Sequence, residues 1–418
     1  LEAHSAGAIV DVEHASGVAG DPGLGDRRRV ILSAHFPFGL PADWRARLAP
    51  MREVGALAFK IVAGTAHFRA SLEIADLQRG ENDGATALFP MGPASVPGRV
   101  LAAHFGSALV YGSAGRPTAP GQPALAELLD VYGTDRATPP RALFGVVAVD
   151  PSDSLSPLVH NAFFRSRNLP FLYLPLPVAD FDREAPHEVE LDPAFRGFSV
   201  TRPWKTRAAS VGLASDDVRA TGAANTLVRE ARSWRSENTD VDGIFDPLAD
   251  HDTGEGRSAV VLGTGGTARA AIVAARRLGY EVAVTGRRND EADALAELFG
   301  VDSFSWSDVA ESEADLYVNT TPVGSRAEDP PALPARVLAS RPLVFDCVYR
   351  SDGGETSTIR AARAAGCRTV GGLEMFAVQA AAQARLFGVD AATREEAAAV
   401  LGRVSHDPER DHGPSHDS

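Results

Sequence analysis

Lysine occurs only twice in this chain, at Lys60 and Lys205, while arginine occurs 39 times. Either residue can carry a solvated positive charge, but only an amine can release its proton and serve as acid, base or imine-forming nucleophile. Both amines fall in apolar, strand-like settings, Lys60 in AFKIVAG (58–64) and Lys205 at the end of FSVTRPWK (198–205). His35 lies near the end of the strand-like ILSAHF (31–36), one strand-like run before Lys60. A third feature is VLGTGGTAR (261–269), which follows an apolar run and opens a helical one. Gly263, Gly265 and Ala268 occupy G-x-G-x-x-G/A positions, Gly266 adds a further glycine and Arg269 follows. Such a turn lets backbone approach a pyrophosphate, which rests on helix N–H groups and the positive end of the helix dipole. An NAD-binding chain places Asp or Glu at the end of the next strand. Here that place reads Gly286, Arg287, Arg288. Two guanidiniums fit a 2′-phosphate and leave no carboxylate to repel it, so the expected cofactor is NADP(H).

These groups need elements to hold them. The first third alternates strand-like runs at 8–14, 29–36, 56–64, 85–92 and 107–114 with helical stretches at 41–55 and 96–106. That is the βα pattern of a parallel sheet or barrel, although a closed barrel of this class needs eight strands. A Pro139–Pro140–Arg141 linker follows. A second α/β region over 142–250 contains strands near 144–150 and 197–203, and a third over 251–373 contains the glycine turn. The segment 374–389 has helical spacing with Gln379 and Gln383 on one face, and residues 402–418 read as a disordered tail. The fold class expected is therefore α/β: a partial (β/α) barrel over 1–138, a linker at 139–141, then a substrate domain over 142–250. A helix over 374–401 completes that domain, and a Rossmann-type domain spans 251–373.

A formal charge of −14 argues against nucleic acid or an anionic membrane as partner and leaves small molecules. No apolar run approaches the roughly 20 residues that span a bilayer. The cysteines, Cys347 and Cys367, have no disulfide framework and no metal spacing, which points to a reducing cytoplasm and to no metal. The chain opens on Leu1 and enters a strand pattern within a few residues, so the start of the barrel is expected to be missing.

Around the glycine turn, residues 142–401 resemble the shikimate dehydrogenases in motif order and approximate spacing. DSLSPLVHNAFF (153–164) is similar to the family's serine-rich turn, which implies that Ser154 and Ser156 hold the substrate carboxylate. FSVTRPWK implies Thr201 and Lys205 in the pocket, GAANTLV (222–228) Asn225, and ENTDVDG Asp240. VNTTPVG (318–324), FDCVY (345–349) and GGLEMFAVQAAAQ (371–383) match the nicotinamide-side loop and closing helix. They imply Asn319, Thr320, Gly372 and Met375 for cofactor, and Tyr349 and Gln379 for substrate. Asp153 stands where the bacterial family usually has histidine, and Ser199 where it has asparagine.

Reducing a ring ketone requires a proton donor at the carbonyl oxygen as the hydride arrives. Lys205, held by Asp240, is the expected donor, and neutral hydroxyl and amide groups suit a polyhydroxy acid. Alternatives are a quinate-oxidising enzyme of catabolism and a non-enzymatic regulator of the same fold.

The front third resembles the second half of type I 3-dehydroquinate dehydratases, which work through a lysine Schiff base. The resemblance implies Lys60 as imine former, His35 as proton shuttle, Arg99 as carboxylate binder, and Thr118 and Gln122 on a lid loop. The family's Glu-x-Arg motif and the carboxylate that orients its histidine have no counterpart in the sequence, so dehydratase activity is not expected of the chain as it stands.

Overall fold

The computed structural model describes residues 8–16, 26–81, 83–191, 194–251 and 256–404. Residue contacts divide the chain into two units, one of residues 1–152 with 168–195, the other of 153–167 with 196–418. The tail expected to be disordered lies outside the described residues from Ser405 onward, and Val404 before it is buried.

In the first unit, β1 (Val10–Glu13), β2 (Val30–Phe36), β3 (Ala58–Gly64) and β4 (Thr86–Met91) form a parallel sheet in that order. Helices α1 (Trp44–Glu53), α2 (Phe68–Arg79) and α3 (Val96–His104) connect or follow the strands. Leu32, Phe59, Ile61 and Leu88 pack with Trp44, Leu48 and Met51 on one side of the sheet. A fifth strand expected at 107–114 does not form. Ala108 donates one backbone hydrogen bond to Thr86, and the remaining pairing is an isolated bridge between Ser113 and Ala124. The segment instead packs Gly112 on Leu125, where an added Cβ would lie 2.8 Å from the Leu125 Cα, and turns Tyr111 towards Lys60. This unit also holds β5 (Ala142–Ala148) and β6 (Phe171–Pro177), a parallel pair.

The second unit begins with α4 (Ser156–Ser166) and then carries β7 (Phe195–Val200), α5 (Lys205–Ala208), β8 (Leu213–Ala214) and α6 (Asp216–Thr221). β9 (Thr226–Glu230) and β10 (Ser233–Glu237) form an antiparallel hairpin, with β7 antiparallel to β9 and β8 parallel to β10. α7 (Asp240–Ala249) leads into six parallel strands: β11 (Ser258–Leu262), β12 (Glu281–Thr285), β13 (Asp302–Ser303), β14 (Leu316–Asn319), β15 (Leu343–Asp346) and β16 (Thr369–Val370). Their order is β13-β12-β11-β14-β15-β16, so the direction of winding reverses between β11 and β14. Ligands of open parallel sheets bind in the crevice at such a reversal, beyond the carboxyl ends of the strands. α8 (Gly266–Arg277) leaves β11 at that point. Its Ala268, Ala271, Ile272 and Ala275, at i, i+3, i+4 and i+7, are all wholly buried. α9 (Asn289–Phe299), α10 (Ala335–Ala339), α11 (Ser357–Ala364), α12 (Gly372–Leu386) and α13 (Arg394–Leu401) complete the unit. α12 packs on α7 where Gly243 leaves room; a Cβ there would lie 3.2 Å from the Gln379 Cβ.

Candidate active site

The central cluster of the second unit follows from strand register. Val200 at the end of β7 donates to the Asn225 carbonyl, and Asn225 donates to the Glu237 carbonyl at the end of β10. The starts of α5 and α7 therefore lie side by side, and they carry Lys205 and Asp240. Lys205 Nζ donates to Asp240 Oδ2 at 2.6 Å and to Thr267 Oγ1 at 3.0 Å. The Lys205 and Asp240 side chains are only 13% and 5% exposed, so solvent screens the pair weakly. Asn225 Nδ2 donates to Asp240 Oδ1 at 2.8 Å, to Thr239 Oγ1 at 2.9 Å and to Gln379 Oε1 at 3.4 Å. Its Oδ1 accepts from Thr239 N and Thr226 Oγ1, which fixes the amide orientation. Behind it, Gln383 donates to Thr226 Oγ1 and to the Asn225 carbonyl, while accepting from Ser199 Oγ at 2.8 Å. His160 stacks into this layer at 3.3 Å from Gln383, and burial pushes its imidazole down to about 3. Gln383 and Ser199 thus support the cluster from below, and Thr267 joins it directly. Sequence reasoning had assigned a site role to none of these three.

Ser154 and Tyr349 meet on their own. The Tyr349 phenol, held up to about 12 chiefly by burial, hydrogen-bonds the Ser154 hydroxyl and the Leu155 backbone N–H, and its ring meets Phe376 edge-on at 5.3 Å. Ser156, buried, opens α4 and donates its N–H to Ser154 Oγ. Thr201 follows β7 four residues before Lys205 and accepts from Trp204 N through its carbonyl.

The glycine turn has the shape of a dinucleotide cradle. Gly263 adopts φ +118°, and a Cβ on it would lie 2.5 Å from Thr320 Oγ1. Gly265 is the N-cap of α8 and faces open space, with no side chain capping the helix amides. A Cβ on Gly266 would lie 2.7 Å from the Lys205 Cβ, so the helix start and the lysine stem touch. These bare amides fit a pyrophosphate, and Lys205 stands beside them. Thr320 ties the turn down by donating to the Leu262 carbonyl. Asn319 spends its side chain internally, donating to Asp346 and Val323 and accepting from Thr321, so it shapes the following loop. Asp346 is wholly buried beneath that loop, and burial raises its carboxyl to about 6 against the pull of Thr356 and Asn319. Arg269 turns away towards the Thr221 carbonyl. Gly372 lies so close to Val348 that a Cβ would meet its carbonyl oxygen, and Met375 is buried one turn on.

One expectation is corrected here. The corner after β12 does hold a carboxylate: Arg288 Nη2 donates to Glu291 Oε2 at 2.7 Å. The pattern hid it because Glu291 lies three residues downstream, in the first turn of α9, where acids commonly complement the helix dipole.

In the first unit, His35 lies next to last in β2, whereas Lys60 is the third of seven residues in the neighbouring parallel β3, opposite Ser33, so only the histidine stands at a carboxyl end as expected. Lys60 pairs with Asp11, and its ammonium lies 5.2 Å from the Tyr111 ring centroid. His35 Nδ1 is 2.6 Å from Glu13 Oε2. A carboxylate therefore does orient this histidine, contrary to expectation, and β1 supplies it through its register with β2. Arg99 is 9% exposed, donates to Ser95 Oγ and packs over Phe89. Burial lowers its guanidinium to about 10. No carboxylate meets it among the described residues, which leaves it in want of an anion. Thr118 donates to Gln122 Oε1 from both its N–H and its hydroxyl, closing their loop on itself.

Comparison with known proteins agrees with this architecture. Residues 146–227 match the shikimate dehydrogenase substrate binding domain, and residues 4–139 match the type I 3-dehydroquinase model. The NADP(+) shikimate dehydrogenase of Pelobacter propionicus is 37% identical over 57% of this chain and 88% of its own length. The chloroplastic bifunctional 3-dehydroquinate dehydratase/shikimate dehydrogenase of Arabidopsis thaliana is 29% identical over 86% of this chain, which spans 63% of that protein. The crystal structure of Thermus thermophilus shikimate 5-dehydrogenase in complex with NADP(H) and shikimate superposes with a TM-score of 0.55 and 31% identity, covering 63% of this chain and 99% of that one. Behind a segment matching type I 3-dehydroquinase, the chain belongs to the shikimate dehydrogenase family.

Proposed function

We propose that residues 142–401 catalyse the reversible, NADPH-dependent reduction of 3-dehydroshikimate to shikimate. The observation that carries this reading is Lys205 Nζ, held between Asp240 and Thr267 where α8 leaves the glycine turn. When bound, NADPH supplies the hydride to the carbonyl carbon. Lys205 delivers the proton to the carbonyl oxygen, and Asp240 holds the amine in place. Gln379 presents its amide to ring hydroxyls, with Asn225 beside it holding the Asp240 carboxylate, while Ser154, Ser156, Thr201 and Tyr349 offer hydroxyls to the substrate carboxylate. A pocket of neutral donors and acceptors suits a small polyhydroxy acid. Arg287 and Arg288 favour the 2′-phosphorylated cofactor over the NAD expected of a quinate-oxidising catabolic enzyme. A purely regulatory role has no use for a retained proton-transfer pair. For the first unit, Lys60, His35 and Arg99 support descent from a Schiff-base dehydratase acting on 3-dehydroquinate, with Thr118 and Gln122 as its lid. Free Cys347 and Cys367 suit a reducing cytoplasm. Among the described residues no helix is long and apolar enough to cross a membrane, and the acidic balance disfavours nucleic acid.

Absorbance at the nicotinamide band, followed with 3-dehydroshikimate and either NADPH or NADH, tests the reading. Turnover with NADPH favoured is the expected result. Absence of any 3-dehydroshikimate-dependent oxidation of either cofactor overturns it.

A further inference from the structure

Glu291 occupies an awkward place for a chain that takes a 2′-phosphate. One of its oxygens, Oε2, accepts from Thr264 Oγ1 at 2.8 Å and from Arg288 Nη2 at 2.7 Å. Thr264 belongs to the glycine turn, and Arg288 is the N-cap of α9. Gly286 lets these two segments close on each other, since a Cβ there would lie 2.8 Å from Thr264 Cγ2. A single carboxylate oxygen thus bridges the turn that fits the pyrophosphate and an arginine that fits the 2′-phosphate. The Arg288 and Glu291 side chains are 73% and 38% exposed, so the pair is solvated and readily exchanged.

The two forms of the cofactor meet this corner differently. A phosphate must draw Arg288 from Glu291 and then sit near a carboxylate that repels it. An unphosphorylated ribose brings hydroxyls, for which the same carboxylate is an acceptor. We propose that Glu291 is a specificity-determining residue that opposes Arg287 and Arg288, limiting the preference for NADP(H) and admitting NAD(H) as a weaker ligand. The proposal rests on reading the glycine turn as a dinucleotide site.

Calorimetric titration of the intact chain with NADP+ and with NAD+ tests it, using Glu291→Gln, Asp290→Asn and Arg288→Met. Glu291→Gln keeps an acceptor for Thr264 and loses the charge; NADP+ should bind roughly 3- to 10-fold tighter and NAD+ no tighter, so the ratio of the two Kd values widens. Asp290→Asn removes the same charge from the same helical turn and should leave that ratio within about 2-fold. Arg288→Met should weaken NADP+ and leave NAD+ little changed. An unaltered ratio in Glu291→Gln, or an equal shift in Asp290→Asn, overturns the proposal while wild-type binding upholds the nucleotide site. Binding of neither dinucleotide by wild type removes the nucleotide reading, and the proposal with it.

Discussion

Replacing Asp240 by asparagine keeps the shape of the side chain and removes one acceptor. Asp240 now takes Lys205 Nζ on Oδ2 and Asn225 Nδ2 on Oδ1. Asn225 cannot reverse its amide, because its Oδ1 already serves Thr239 N at 2.9 Å and Thr226 Oγ1 at 2.8 Å. The new amide can turn its oxygen to one donor only, so its NH2 must confront the other. A buried donor left unpaired costs about 1–3 kcal/mol, and breaking a buried ion pair about 3–5 kcal/mol. If a loss of that size falls on the proton-transfer step, at about 1.4 kcal/mol per ten-fold, kcat should drop roughly 10²- to 10⁴-fold. The NADPH requirement lies mainly with the glycine turn, so its KM should move by less than about 3-fold. Steady-state kinetics with 3-dehydroshikimate and NADPH varied separately would resolve the two effects, with thermal unfolding as a check that the fold survives. A kcat within about 3-fold of wild type would refute the assignment of Asp240 as the group that holds the proton donor.

Thr267→Val removes the hydroxyl that accepts from Lys205 at 3.0 Å while keeping the volume, and kcat should fall about ten-fold and return in Thr267→Ser. Equal loss in both variants would make the role one of packing. His160, neutral in the fold with its imidazole pushed down to about 3, should make the unit lose stability as pH falls below about 6.5, because the unfolded chain then binds a proton the fold refuses. In His160→Gln that acid sensitivity should shrink, as read from chemical denaturation at pH 7 and pH 5; an identical pH dependence contradicts it. In the first unit Asp11 and Tyr111 already occupy the Lys60 amine, so borohydride trapping with 3-dehydroquinate should leave Lys60 unlabelled by mass spectrometry. A labelled Lys60 would show a working imine site.

What the sequence disclosed was whatever local spacing decides. The glycine turn, its strand and its helix could be read from a dozen residues, and so could the four parallel strands, two of which carry His35 and Lys60. The bonds linking these segments were less visible. Thr267 fills a position that the nucleotide fingerprint leaves unspecified, so nothing marked it as a partner of Lys205. Glu13 reaches His35 only because β1 and β2 run parallel in a register that pairs Glu13 with Ser33. The run 107–114 has strand-like alternation, yet Gly112 is taken up by close packing on Leu125 rather than by a ladder. Gln379 and Gln383 were seen to share a helix face, but which one meets Asn225's side chain and which its carbonyl was set by how α12 lies along α7.

The most direct measurement concerns the amine itself. Lys205→Ala removes it without touching the glycine turn's amides, so NADP+ should bind within about 3-fold of wild type while single-turnover reduction of 3-dehydroshikimate slows by roughly 10²-fold or more. Retention of near wild-type single-turnover rates in that variant would contradict Lys205 as the proton donor.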